Sequence, residues 1–148
     1  MQIQGHPNPS PGIQDWLQRL GPGFDAAVLA QWLGPDPRTR ETSLARLLQA
    51  FGEALRQRLL EMEQAIGAAD FQSIRRVAHT LASSSAALGA AGFAGRCLEL
   101  ERCALGAGQE CDTARNAAAL EMARLWLPEA RALRDRVCAA AGGWGRVS

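Results

Sequence analysis

The stretch DFQSIRRVAHTLASSSAALG, residues 70–89, contains the start, the body and the end of a single helix. Asp70 is a residue type that caps helix N-termini, and Gly89 is a typical helix terminator. Between these ends, one set of residues recurs at steps of three and four, the spacing of one face of an α-helix. The stretch therefore predicts a helix with one buried face, formed by Phe71, Ile74, Ala78, Leu81, Ser85 and Leu88.

The rest of the chain shows the same helical periodicity and almost no strand signal. The 148 residues include no Tyr, and no clear run alternates apolar with polar residues. Two short helices are predicted near the N-terminus, one at 13–20 before the breaker GPG and one within 24–34. Three long helices are also predicted. The first runs from the cap pair Asp36–Pro37 to near Gly67, and the second from about 90 to Gly106 or Gly108. The third begins at a cap at Asp112 or Thr113 and is bent at Pro128.

Four substantial helices with short connections predict an all-α fold, an antiparallel up-down four-helix bundle with one or two short N-terminal helices over one end. The predicted division is a tail and short helix at 1–23, the bundle at 24–141 and a C-terminal tail at 142–148. Apolar stripes on the helices are expected to be core. These stripes are Leu44, Leu47, Leu48, Phe51, Leu55, Leu59, Met62 and Ile66, then Phe93, Cys97, Leu98 and Leu100 or Glu101, then Ala117, Leu120, Leu125, Leu127, Leu133 and Val137. Trp16, Trp32, Trp126 and Trp144 are expected to be core or lid residues.

Composition argues against several classes of function. With 16 basic and 15 acidic residues, the chain has no charge excess that favours nucleic acid or an anionic membrane. No signal peptide or membrane-spanning stretch is recognisable, so a cytoplasmic protein is expected. The cysteines lack the spacing of metal ligands, which predicts free thiols and neither a metal nor another cofactor. They are Cys97, Cys103, Cys111 and Cys138.

His79 lies away from the apolar stripe of its helix, so its imidazole is expected on the outer face. Arg75 and Arg76 precede it by one turn, and the small residues Ala82 and Ser83 follow it by one turn. Gln72 and Ala86 extend the same face by a further turn. A partner could approach closely over the small residues, and the arginines could balance an anion. The alternative to a functional site is that His79 is an exposed histidine with no function. Hydrolysis is disfavoured because no Ser-His-Asp order is present.

The segment AHTLASSSAALGAAGFAGRCLELE, together with the helix before it, resembles the signature of histidine-containing phosphotransfer domains over roughly residues 24–104. That family pattern is His-x-Leu-Lys-Gly-Ser-Ser, two small residues and Leu-Gly, followed by a helix with Cys and Leu-Glu. The matching residues are His79, Leu81, Ser84, Ser85, Leu88, Gly89, Cys97, Leu100 and Glu101.

The resemblance implies a helical bundle in which His79 takes a phosphoryl group from the aspartate of a receiver domain and passes it to another receiver. The receiver's acidic pocket and Mg²⁺ would supply most of the catalysis, so the bundle would be a phosphocarrier and not an enzyme. The implied partners are response-regulator receiver domains or a hybrid sensor histidine kinase. Neither nucleic acid nor a membrane is expected as a partner, and a monomer is expected.

Two positions depart from the family pattern. Ala82 stands where the family has Lys, and Ser83 stands where it has Gly. Arg75 or Arg76 could supply the missing charge from the other side of His79. The departures keep open a second hypothesis, a docking module that binds receiver or kinase domains without accepting phosphate. A third, a helical enzyme with His79 as general base, is disfavoured because no carboxylate lies at helical spacing from it.

Overall fold

The computed structural model describes residues 11–36, 38–108 and 112–147, and in these residues the fold is all-α. This confirms the predicted fold class. The six helices of the described residues are α1 (Pro11–Leu20), α2 (Ala26–Ala30), α3 (Arg40–Gly67), α4 (Phe71–Ala87), α5 (Ala91–Leu105) and α6 (Thr113–Val147).

Helices α3 to α6 form an antiparallel four-helix bundle. Each packs against two neighbours in the cyclic order α3, α4, α5, α6, with the α4–α5 and α3–α6 pairs in the most extensive contact. The close approach of α3 to α6 requires a residue without a side chain, because a Cβ on Gly52 would lie 2.9 Å from Cys138 Sγ. The short connections between α3, α4 and α5 place these helices side by side and antiparallel.

The turn between α4 and α5 has the hydrogen bonds of a Schellman motif. The Ala90 N–H donates to Ser85 O at 2.9 Å, and the Gly89 N–H donates to Ala86 O at 3.0 Å. Gly89 has a φ of +86°, a conformation that side chains disfavour. The turn between α3 and α4 has the same bonds, with Ala69 at a φ of +51° in the equivalent position. Asp70 then caps α4 through the Ser73 N–H, as the sequence predicts.

The short helices α1 and α2 cover the part of α3 and α6 that α4 and α5 leave open. Helices α3 and α6 contain 28 and 35 residues, whereas α4 and α5 contain 17 and 15, so the longer pair extends past the α4–α5 turn. Helix α1 packs on α6 and α2 and buries Ile13, Trp16 and Leu20 completely or nearly so. The predicted role of the N-terminal helices as a cover is confirmed.

Several predicted boundaries are wrong. Helix α3 begins at Arg40 and not at Asp36, because Asp36 accepts the Arg38 N–H at 3.0 Å and the chain first makes a turn. Helix α6 continues to Val147, so the backbone beyond 141 is helical instead of forming a tail. Pro128 does lie within this helix, and the bend predicted there stays a prediction. Residues 1–10, Pro37, 109–111 and Ser148 lie outside the described residues, as does the side chain of Trp144.

The predicted core is correct for α3 and only partly correct for α5 and α6. The α3 stripe is buried except for Leu47 and Ile66, which are half-buried and pack against the core. On α5 and α6, Leu98 and Leu125 are exposed, as is Ala117. The buried face of α6 consists mostly of small residues, which let the helices pack closely, and this turns Leu125 outward. This face contains Ala119, Ala123, Trp126, Ala130, Leu133, Val137 and Ala140. Among the tryptophans, Trp16 and Trp126 are buried as predicted, whereas Trp32 is 40% exposed.

The Gly89→Ala substitution is expected to reduce the free energy of unfolding by about 1–3 kcal/mol. An alanine at this position would have a disfavoured φ, and its Cβ would lie 3.1 Å from Asp25 N, Asp25 O and Val28 Cβ. Both the turn and the α2 contact would therefore be strained. Urea unfolding followed by circular dichroism measures the change.

The matched control is Gly95→Ala, in the middle of α5. A Cβ there meets nothing within 4 Å, so the free energy of unfolding should rise by about 0.5–1 kcal/mol through helix propensity. Equal effects of the two substitutions would contradict a special role for Gly89.

Candidate functional site

His79 stands on the outer face of α4, with its side chain 66% exposed. The opposite face of the helix is in the core, where Ile74, Val77 and Leu81 are buried. Because the backbone of α4 is fixed by the Asp70 cap and the Gly89 turn, the imidazole projects from a rigid element. The predicted exposure of His79 is confirmed.

Glu101 of α5 is the hydrogen-bond partner of His79. The distance from His79 Nδ1 to Glu101 Oε2 is 2.9 Å, and the carboxylate is 23% exposed. The sequence matches Glu101 to a family motif but does not predict this contact. Spacing along α4 indicates only contacts within that helix, and Glu101 belongs to α5. A signal was present: His79 and Glu101 each lie eleven residues from Ala90, so an antiparallel hairpin centred there places them at the same height.

This contact determines which ring nitrogen of His79 is available. In the neutral imidazole one nitrogen carries the proton and the other has the lone pair. A carboxylate accepts hydrogen bonds, so Nδ1 carries the proton and its N–H donates a hydrogen bond to Glu101. Nε2 is then left with its lone pair directed away from Glu101. The arrangement orients the ring and prepares Nε2 as a nucleophile.

A shallow depression beside His79 is lined by basic and polar side chains: Gln72, Arg75, Arg76, His79 and Glu101. Within the part of the chain that the structure describes, Arg75 has no ion-pair partner, so its charge is available. Arg76 donates from Nη2 to Ser73 Oγ at 3.1 Å, and Ser73 donates in turn to Asp70. These hydrogen bonds from Ser73 hold the pKa of the Asp70 carboxyl below its usual value, and Arg76 adds to the effect. The depression is suited to an anion bound near the imidazole.

On the other side of His79, the structure corrects one predicted surface residue. Ala82 is only 5% exposed, because α4 packs so closely on α5 that this edge of the helix is covered. Ser83 and Ala86 are exposed, as predicted. The surface over which a partner could approach is therefore narrower than the sequence suggests, and a side chain longer than Ala at position 82 would have to extend past α5.

Two exposed leucines on α5 were not predicted as part of this surface. Leu98 and Leu105 are 42% and 64% exposed. They lie three residues before and four residues after Glu101, so they share its face of α5. The imidazole thus lies beside a carboxylate, and on α5 this carboxylate has an exposed leucine one turn before it and another one turn after it. Their signal in the sequence was helical spacing from Glu101.

The described residues contain no group of three or more His, Cys, Asp or Glu side chains that could hold a metal ion. Cys97, Cys103 and Cys138 are free. Burial raises the pKa of the Cys97 thiol to about 11, although Trp126 acts in the opposite direction. Cys97 is therefore a packing residue without thiolate character. None of the described helices is long and apolar enough to span a bilayer.

Comparison with known proteins agrees with this geometry. The sequence model of the Hpt domain matches residues 46–140. The structure is also similar to that of histidine-containing phosphotransfer protein B from Pseudomonas aeruginosa PAO1, with 29% sequence identity and a TM-score of 0.56. That match covers 78% of this chain and 93% of the Pseudomonas chain. No curated protein matches.

The chain belongs to the family of Hpt domains. Its structural likeness to a histidine-containing phosphotransfer protein supports the same assignment. Members of this family are phosphocarriers that interact with receiver domains and kinases in two-component signalling. The protein accordingly has a histidine phosphotransfer role in a phosphorelay.

The His79–Glu101 contact predicts one dominant tautomer of the neutral imidazole. In the wild-type protein, Nδ1 should be protonated and Nε2 unprotonated, which ¹⁵N chemical shifts of the ring distinguish. Replacing Glu101→Ala removes the acceptor, so both tautomers should become populated.

Glu99→Ala is the matched control, because Glu99 is an exposed glutamate of the same helix that does not contact the histidine. It should leave the ring shifts as in the wild type. An unchanged tautomer in Glu101→Ala would contradict the orienting role of Glu101.

Proposed function

We propose that His79 is the residue that carries the phosphoryl group, accepting it from the aspartyl phosphate of one receiver domain and passing it to the aspartate of another. The observation that carries this proposal is the exposed imidazole whose Nδ1 is hydrogen-bonded to Glu101. No other described residue combines a nucleophilic nitrogen, solvent access and an orienting carboxylate. His6 lies outside the described residues.

The transfer step follows from this arrangement. Nε2 attacks the phosphorus atom of the aspartyl phosphate, the Nε2–P bond forms, and the P–O bond to the aspartate breaks. The aspartate leaves as a carboxylate, and the phosphorylated ring keeps its Nδ1 proton and gains positive charge. Glu101, which accepts that N–H, stabilises the charge as it develops. The reverse step delivers the group to the second receiver.

Charge compensation for the phosphoryl group is assigned to the arginines. Ala82 cannot provide the cation that the family pattern has at this position, and Arg75 and Arg76 line the depression next to His79. Arg75 is the better placed of the two, because Arg76 is also engaged by Ser73. An Arg guanidinium suits this role, since its fixed fork of N–H donors matches phosphate oxygens.

The proposed receiver-docking surface consists of residues from α4 and α5. From α4 it retains Gln72, Arg75, Arg76, Ser83 and Ala86 around His79. From α5 it gains Leu98 and Leu105, because exposed apolar side chains beside a reactive group are typical of a binding surface. Ala82 supports this surface from below, where it packs towards α5. The small residues Ser83 and Ala86 leave room for the rim of the receiver's acidic pocket.

We assign the protein no catalytic turnover of its own, since the receiver would provide the metal and the acidic residues for transfer. A His–Glu pair can also act as a general base, so the decisive observation is covalent phosphate on the histidine. The monomeric state and the cytoplasmic location stay predictions.

His79→Gln is expected to abolish phosphoryl acceptance while changing the free energy of unfolding by less than about 0.5 kcal/mol, because the side chain is exposed. The measurement incubates the protein with radiolabelled phospho-receiver and tests the label on the bundle for lability in acid and stability in base.

His6→Gln is the matched control and should be labelled like the wild type. Label that persists in His79→Gln and disappears in His6→Gln would contradict the assignment. If the wild type binds receivers but accepts phosphate from none of them, the docking-module hypothesis is correct.

Ala86→Phe is expected to slow transfer from a phospho-receiver by about tenfold or more, because a bulky side chain on the docking surface prevents close approach. Stability should change little, since Ala86 is exposed. Ala118→Phe, at an exposed position of α6, is the control and should transfer normally. Normal transfer with lowered stability in Ala86→Phe would show that this face is not a docking surface.

A further inference from the structure

Trp32 is a large apolar side chain held on the surface of the protein. The residue is 40% exposed, whereas Trp16 and Trp126 are buried. The position of the ring is fixed, because Nε1 donates a 2.8 Å hydrogen bond to Ala87 O at the C-terminal end of α4. With its N–H used inside the protein, the indole offers only its apolar ring to solvent.

The segment that carries Trp32 is attached to the same end of α4 by a second contact. The Asp25 N–H donates to Gly89 O at 2.9 Å, and Asp25 also caps α2 by accepting the Ala27 N–H at 2.8 Å. Gly89 allows this contact, since a Cβ there would lie 3.1 Å from Asp25 N. The α2 segment is therefore fixed on the α4–α5 turn at two points, and Trp32 moves with α4.

Trp32 lies at the C-terminal end of the helix that carries His79. Ala87, which accepts its N–H, is eight residues beyond His79, a distance of about 12 Å along the helix axis. A protein–protein interface covers about 800 Å² per partner, equivalent to a circle about 16 Å in radius. A receiver centred on His79 would thus reach the end of α4, with the small exposed residues Ser83 and Ala86 between.

We infer that Trp32 is an apolar anchor for the receiver domain that docks on His79, and that it contributes to the choice among receivers. The inference rests on the proposed function, because the occupant is the receiver that engages His79. The reason for this occupant is continuity: the ring is hydrogen-bonded to Ala87, which follows Ala86 of the proposed docking surface, and is fixed to the helix that carries the histidine. Tryptophan is enriched among the residues that dominate binding energy at interfaces.

This anchor lies outside the residues that the Hpt model matches. Residue 32 precedes the matched range 46–140 and lies in the N-terminal segment that covers one end of the bundle. The bundle supplies the reactive histidine, and the added segment supplies a contact that the bundle alone does not have. Such a division would let the chemistry stay constant while the partner preference changes.

The test compares Trp32→Ala with the wild type in two reactions. Transfer from purified receiver domains of the source organism, phosphorylated with acetyl phosphate, requires docking. Direct phosphorylation by phosphoramidate, a small phosphodonor, requires only an accessible histidine. Trp32→Ala should slow transfer from the preferred receiver by about tenfold or more and leave phosphoramidate labelling unchanged. Leu125→Ala, which removes a 63% exposed leucine from α6, should leave both reactions unchanged.

A second measurement does not depend on the stability of the variant. The indole N–H resonance of Trp32, assigned by its loss in Trp32→Phe, should shift when the preferred receiver is added to the wild-type protein. An unshifted resonance, or normal transfer by folded Trp32→Ala, would overturn this inference and leave the proposed function intact. A wild-type protein that accepts label from phosphoramidate and from no receiver would overturn both.

Discussion

The tight antiparallel packing of α4 on α5 is the constraint on which the site depends. The Schellman turn at Gly89 ends α4 and starts α5 with the helices side by side, and small residues such as Ala78, Ala82 and Ala94 let their backbones approach closely. This fixes the relative height of the two helices and brings His79 to Glu101. The same turn accepts the Asp25 N–H, so the N-terminal cover is attached directly to the turn that sets the hairpin.

The proposed site around His79 is chemically minimal, which phosphoryl transfer permits. Phosphoryl transfer depends mainly on position and charge, so an oriented imidazole with a nearby carboxylate and arginines meets the needs of the carrier. The family lysine is absent at Ala82, and the burial of that position shows that close helix packing occupies the space instead. On the proposed docking surface, the positive charge then comes from the arginines in the N-terminal half of α4. The apolar contacts come from the C-terminal half of α4 and from the exposed leucines of α5.

Local signals allowed much of the fold to be predicted from the sequence, and the failures have physical causes. Asp70 and Gly89 act within one helix, so the bounds of α4 and the outward direction of His79 were predictable. Ala82 was wrongly placed on the surface because a single-helix analysis does not include the neighbouring helix that covers it. The Glu101 contact joins residues of different helices and needs the register of the hairpin. Asp36 failed as a cap because it stabilises a turn before α3.

Because of the hairpin, insertions and deletions are expected to have different effects in different parts of the chain. Insertion of one residue between His79 and Glu101 would rotate one side chain by about 100° and shift it by about 1.5 Å relative to the other, so the two would no longer meet. Helices α3 and α6 are subject to no such limit at their far ends, where they extend past the hairpin. Helical turns added or removed at those ends, together with the segment that covers them, are therefore expected to leave the contact between histidine and glutamate in place.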